Sequence, residues 1–478
     1  MPRSALAADA VPPECSVLIV GSGPAGLFAA DQLEKAGLSD IVIVDKGKPM
    51  ASRTCPDGPA CECRLCDVLE GEGGAGSFSD GKITLSATRG THGQCLFTPE
   101  QEALLAEVER VIRAFVPEAV SYEPVPQLTA LAEHGEAGLR FESYPLLHVG
   151  SDGVRQFGLR YSADLQARGV TVLTGVEALE LTVTNRQATG AILHDRRTRS
   201  SQFIRAQSVI VASGLMGTEW LEDQLRAEGV RLSTGPADIG VRLETTAEAL
   251  EPFISEFYDF KVAHSAPDGM NVRSFCVNGN GFVVNEYHRP LGIRGVNGHS
   301  FLGRRSGLSN LAILATVSET FARDPKAYVR HVAHRVNDGA GGYPARQELA
   351  AFLPDAAHSP ALGVSGSNPK TRDAPLRDLL PRPLYEAFAG YIRALGAILP
   401  ALLAPDAVVY APEIKYYNYR VPIDQRTWES TDIRGLFVVG NAAGHTASLS
   451  AAALTGIIAA QTIAHRTRAA PVRQADTI

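Results

Sequence analysis

The apolar run Ser16-Val17-Leu18-Ile19-Val20 ends directly in Gly21-Ser22-Gly23-Pro24-Ala25-Gly26, and this junction constrains the fold more than any other feature. A buried strand, a G-x-G-x-x-G turn and an opening helix follow one another with no residue to spare. The first glycine permits the tight turn and the second lets the backbone approach a pyrophosphate. The third lets the helix pack on the strand. Unpaired N–H groups and the helix dipole then favour phosphate charge at that helix end. Residues 25–36 read as the helix and 40–45 (DIVIVD) as a second strand, so one βαβ unit fills about 30 residues. Asp45 closes the second strand 19 residues after Gly26, where a carboxylate accepts hydrogen bonds from an adenosine ribose. Gly21, Gly23, Pro24, Ala25, Gly26, Asp45 and the adjoining Lys46 are therefore expected to bind a dinucleotide cofactor.

The rest of the chain reads as an α/β protein of two or three domains. Its 478 residues are 45% hydrophobic, which excludes a disordered protein, and 45 glycines suit many tight turns around a ligand. A charge of −7, from 45 basic and 52 acidic residues, leaves no basic footprint for nucleic acid. No stretch reaches the about 18 apolar residues of a membrane span. The first residues lack the apolar core of a secretory signal and read as a disordered lead-in, so the cytoplasm is expected. A small-molecule substrate is the expected partner; the oligomeric state is open.

Helices are expected over 99–115, 154–168, 383–403 and 448–466, and strands over 170–174, 177–184, 190–194, 208–214 and 435–440. Residues 235–350 mix short strand patterns with Gly/Asn turns and read as a separate β-rich domain. Residues 46–91 have little periodicity, and a loop that long in a compact domain is generally functional. Cys55, Cys61, Cys63 and Cys66 fall in this loop within twelve residues. Four sulfurs suffice for zinc or an iron–sulfur cluster, Cys63 and Cys66 for a redox dithiol, and plain thiols remain a third reading. No metal is assigned.

Near the C-terminus, Gly435-Leu436-Phe437-Val438-Val439-Gly440-Asn441-Ala442-Ala443-Gly444 runs into an Ala-rich helix. This resembles the second FAD motif of the glutathione-reductase-like flavoproteins, with Asn441 where that family has Asp. Val209–Gly214 (VIVASG) resembles their intermediate strand. The loop Gly73-Gly74-Ala75-Gly76-Ser77-Phe78-Ser79-Asp80-Gly81-Lys82, with the cysteines upstream, resembles the largely uncharacterised bacterial FAD-dependent dehydrogenases, a group of NAD(P)/FAD-dependent oxidoreductases. Gly240-Val241-Arg242-Leu243-Glu244, Arg273-Ser274-Phe275-Cys276 and Val296-Asn297-Gly298-His299-Ser300 match the same family.

The resemblance implies a discontinuous Rossmann-type FAD domain of the glutathione-reductase-like class, over 1–235 and 405–478, with a β-rich substrate domain inserted at 236–404. It implies FAD as cofactor, with Gly74, Ala75, Gly76, Ser79, Asp80 and Gly81 against the flavin. Gly214, Gly440, Asn441 and Ala442 complete the expected cofactor set. Lys82 is either an acid/base partner of Asp80 near the flavin or one half of an ion pair. His299 and His445 are either proton donors or hydrogen-bonded structural residues. Arg304 and Arg305 suit a carboxylate clamp or a surface pair; Tyr416, Tyr417 and Tyr419 suit a cavity wall or the core. With no second G-x-G-x-x-G, any nicotinamide must bind transiently at the flavin face. The expected function is an FAD-dependent dehydrogenase or reductase acting on a small organic molecule. The alternatives are a flavin monooxygenase and a flavin-binding redox sensor.

Overall fold

The computed structural model describes residues 11–55, 65–88, 90–91, 96–123, 138–235, 237–265, 269–415 and 418–469. The expectations for the first ten residues, Cys61, Cys63, Tyr416 and Tyr417 lie outside these.

The first sheet grows from the strand Glu14–Val20, which pairs in parallel with Ile41–Asp45 on one side and Ser200–Val211 on the other. Thr171–Thr174 extends it beyond Ile41–Asp45, and Leu436–Val438 pairs in parallel with the far end of Ser200–Val211. The near end of that long strand instead carries an antiparallel meander, Gln187–Asp195 and Val176–Thr184. Ser200–Val211 starts earlier than the apolar run 208–214 announces. Its first half pairs with the meander at the surface, where polar residues serve as well as apolar ones.

Helices Pro24–Lys35, Gly150–Ala167 and Leu449–Ala469 bury their apolar faces in one core with this sheet. Pro24 sits in the first turn of its helix, where a missing N–H has no consequence. The helices at the two ends of the chain approach backbone to backbone. A Cβ on Gly456 would stand 2.1 Å from the Ala25 carbonyl oxygen.

The second sheet has eight strands in the order Arg372–Asp373, Ala345–Glu348, Val408–Lys415, Ala237–Thr246, Leu308–Val317, Asn271–Asn278, Lys261–Ser265 and Leu139–Glu142. All neighbours are antiparallel except the first pair. It recruits strands from either side of residues 236–404, since Leu139–Glu142 precedes that stretch and Val408–Lys415 follows it. Helices Pro325–Gly339 and Arg382–Ile398 cover one face in a second core. The hairpin Phe282–His288 and Ile293–His299 stands beside it. The result is a mixed α/β fold built on several sheets.

Candidate active site

A cleft of about 720 Å3 runs from the glycine turn of the first sheet to the uncovered face of the second. That volume lies in the range of small-molecule and cofactor sites.

The turn is built to bring backbone close. Gly21 has φ +105°, and a Cβ there would lie 2.4 Å from the Ala212 carbonyl oxygen. Gly23 borders the cleft, with only Gly74 Cα within 4 Å of where its Cβ would be, at 3.7 Å. Asp45 organises the turn: Oδ2 accepts from Ser22 N at 3.0 Å and Ser22 Oγ at 2.7 Å, and Oδ1 accepts from Gly47 N at 2.9 Å. Lys46 lies beside it, paired with Glu70 at 2.5 Å.

The loop after the cysteines folds back against this turn. Gly74 has φ +64°, and its Cβ would meet Gly23 Cα at 2.8 Å, so the loop and the turn leave no room for a side chain. Arg53, fully buried, holds the loop through its carbonyls, accepting partners being Asp67, Glu72 and Gly74 among others.

Most of the expected cofactor residues line the cleft: Gly21, Gly23, Pro24, Ala25, Asp45, Lys46, Gly74, Ala75, Gly76, Ser79, Asp80, Gly214, Gly440 and Asn441. Gly26, Gly81 and Ala442 do not. A Cβ on Gly26 would be 2.1 Å from Gly21 O, one on Gly81 would be 2.2 Å from Gly150 O, and Ala442 is buried on the other side. These three pack the turns that shape the cleft.

The lining fits FAD on two further counts. Asn441 Oδ1 and Ser213 Oγ are buried at the cleft with no hydrogen-bond partner among the described residues. Such atoms suit the hydroxyls of a ribityl chain, because a buried polar group left unpaired is destabilising.

Where the two halves of the cleft meet stands a buried ion cluster. Lys82 Nζ faces Asp80 Oδ2 at 3.1 Å and Asp259 Oδ1 at 3.5 Å, and donates to the Val277 carbonyl. Burial alone would discharge Lys82, but Asp259 and Asp80 outweigh it and hold its ammonium above the usual range. Burial likewise opposes ionisation of Asp259, yet Lys261 and Lys82 bring its carboxyl down to about 2.

The wall beyond comes from the second sheet and the hairpin. Arg273 and Phe275 face the cleft, alternating with buried Val272 and Ser274. Lys261, Lys415, Glu286 and His288 join them. Glu286 pairs with His288 at 3.4 Å and accepts from Asn297 Nδ2 at 2.5 Å. Behind them Arg242 forks onto Glu413 with two bonds of 2.7 Å, both side chains fully buried, and also donates to Asn310 Oδ1 at 2.7 Å. None of Asp259, Lys261, Glu286, His288, Lys415 and Glu413 stood out in the sequence. For all but Asp259, which lies between a helix and a strand, the available signal was the two-residue alternation of the strands that carry them.

The remaining sequence candidates stand elsewhere. His445 is outside the cleft lining: Nε2 faces the Val421 carbonyl at 2.9 Å and the ring packs edge-on to Trp428, which is a structural placement. His299 is also outside the lining. Burial lowers its pKa, against the opposing charges of Glu286 and Asp80. Arg304 and Arg305 are exposed, Arg304 lying 4.3 Å over the Phe282 ring. Tyr419 packs on Lys326, 3.5 Å from its ring centre. Cys55 is exposed and Cys66 buried, and among the described residues no group of three or more His, Cys, Asp or Glu could hold a metal. No described helix is long and apolar enough to cross a membrane.

Comparison with known proteins agrees with the cofactor. Residues 14–131 and 86–248 match two family models described as FAD binding domain, and 239–415 match one described as FAD-dependent protein, C-terminal domain-like. An uncharacterized protein of Clostridium beijerinckii is 25% identical over 481 residues, covering 93% of this chain and 80% of its own. Among solved structures, a Bacillus halodurans glycerol-3-phosphate dehydrogenase complexed with FAD has a TM-score of 0.42 at 14% identity. The likeness covers 95% of this chain and only 65% of the dehydrogenase. An L-amino acid deaminase from Proteus vulgaris has a TM-score of 0.42 at 13% identity, over 95% of this chain and 94% of its own. With FAD models matched from residue 14 to 415 and a cleft whose lining fits the cofactor, the chain is an FAD-dependent flavoprotein and, by the redox chemistry FAD supplies, an oxidoreductase.

Proposed function

We propose that the protein is a dehydrogenase or reductase that moves a hydride or electron pair between FAD and a small organic substrate. The observation that carries this reading is the single cleft joining a dinucleotide turn to a charged wall, with the Lys82–Asp80–Asp259 cluster at the junction. The parallel core with its antiparallel meander speaks for the glutathione-reductase-like class. In this reading, residues 1–235 and 405–478 form the FAD domain and 236–404 the substrate domain, with Leu139–Glu142 and Val408–Lys415 joining the second sheet.

When bound, FAD supplies two-electron chemistry at flavin N5. Gly21, Gly23 and the N-terminus of Pro24–Lys35 receive the pyrophosphate, while Asp45 has lone pairs left for the ribose. Gly74, Ala75 and Gly76 would hold the flavin, and Asn441 would receive a ribityl hydroxyl. Lys82 is a fixed positive charge, held by Asp80 and Asp259, that stabilises negative charge developing beside it. His288, braced by Glu286, moves the substrate proton. His299 and His445, both outside the cleft lining, take no part in the reaction in this reading.

Anaerobic stopped-flow reduction tests this. Flavin bleaching by an organic donor or by NADH, followed by reoxidation with an organic acceptor or dye, is the expected result. Turnover that requires oxygen and yields a hydroxylated product would replace it with a monooxygenase, and no turnover with any donor–acceptor pair would favour a redox sensor.

A further inference from the structure

Among the described residues, two hydrogen-bond donors on the far wall of the cleft have no protein acceptor. The wall's carboxylates are all engaged. Asp259 accepts from the Tyr144 hydroxyl and from Val277 N at 2.9 Å. Asp238 accepts from Thr316 Oγ1 at 2.7 Å and from Arg273 at 2.5 Å. Glu286 accepts from Asn297, and Glu413 accepts the Arg242 fork. Two of the wall's cations are engaged as well, Arg273 by Asp238 and Lys82 by the Val277 carbonyl.

Lys261 and Lys415 differ. Their nearest carboxylate oxygens are Asp259 Oδ2 at 3.7 Å and Glu413 Oε1 at 3.8 Å, and among the described residues neither Nζ makes a hydrogen bond. Their side chains are 15% and 21% exposed and open on the cleft. An ammonium carries three donors and no acceptor, and only an acceptor from outside the wall satisfies it.

Both ammonium groups flank one ring. Lys261 Nζ lies 4.3 Å and Lys415 Nζ 5.4 Å from the Phe275 ring centre, and all three residues line the cleft. A flat apolar ring beside two cations that no described residue hydrogen-bonds fits an anion with an apolar body.

We propose that the substrate is a small organic anion with a flat apolar body lying against Phe275, its carboxylate or phosphate received by Lys261 and Lys415. The inference rests on reading this half of the cleft as the substrate side of a flavoprotein. Carboxylate and phosphate share the chemistry that two ammonium groups recognise, and the probes below separate them.

Isothermal titration of the flavin-loaded protein with benzoate, phenyl phosphate and neutral benzamide tests it, with bound flavin quantified in every sample. One of the two anions should bind, and benzamide should bind at least roughly 10-fold more weakly, since hydrogen bonds to charged groups have that weight. Lys261→Met and Lys415→Met should each weaken the anion roughly 10-fold while flavin content holds. Lys261→Arg and Lys415→Arg keep the charge and should keep the binding, which separates loss of the ammonium from loss of the fold. Benzamide binding as tightly as benzoate, Met variants with unchanged affinity, or binding of neither anion to flavin-loaded protein would each overturn the proposal. Met variants that lose flavin but not the anion would also overturn it and assign the lysines to the cofactor. A protein without flavin that still binds benzoate through these lysines would instead fail the flavoprotein reading and leave the anion site standing.

Discussion

Gly26 has a Cβ position 2.1 Å from a backbone oxygen, so Gly26→Ala must move the first helix off its strand. A loss of about 1–3 kcal/mol is expected, as for other overpacked sites, with a parallel fall in bound flavin. Urea unfolding and flavin-to-protein ratio on the same sample check it; an alanine variant with wild-type values for both would contradict it. Asp45→Asn leaves the shape of the turn but replaces one acceptor oxygen with a donor facing Ser22 or Gly47. FAD affinity should fall at least roughly 10-fold, read by fluorescence recovery on titrating FAD into stripped protein.

Asp259 supports a pH prediction at the same scale. Its carboxyl titrates near 2 in the folded protein against about 3.9 in an unfolded chain. A group with a depressed folded pKa contributes stability that is complete above the unfolded value and is lost as pH falls through the folded one. Stability should therefore drop between about pH 4 and pH 2, and Asp259→Asn should flatten that slope in unfolding curves taken across the range.

Residues whose role is set within a few neighbours were legible in the sequence. Gly21, Gly23 and Asp45 announce themselves because the turn and the second strand are local. His445 is not settled by such local signals. A His after a glycine turn reads the same whether its ring faces the cleft or, as here, the Val421 carbonyl.

At the scale of elements, the two sheets were unequally legible. Parallel strands buried on both faces are short apolar runs, and those near residues 14–20, 41–45 and 436–438 stood out as such. The second sheet was visible only as a β-rich stretch. Its wall takes Lys261, Phe275 and Lys415 from three strands spread over more than 150 residues, and only long-range antiparallel pairing brings them to one face. The pairing of Ala237–Thr246 with Val408–Lys415 encloses the Arg242–Glu413 fork. Arg242→Met should destabilise by about 3–5 kcal/mol, because it strands a fully buried carboxylate. The double variant Arg242→Met/Glu413→Leu should recover much of that loss in chemical denaturation. A single variant of wild-type stability would mean that the pair carries no such weight.

For the whole molecule, the FAD cleft draws its lining from residues 20 to 452, so cofactor binding and global stability are linked. Adding FAD at about 100 times its Kd should stabilise the protein by about 2.7 kcal/mol and raise its melting temperature in a concentration-dependent way. The most direct test of the account is an absorption spectrum of the purified protein, followed by heat release and identification of what it carried. Flavin bands and close to one FAD per chain in the supernatant are expected. Protein with no flavin in any preparation and no uptake of added FAD would contradict it.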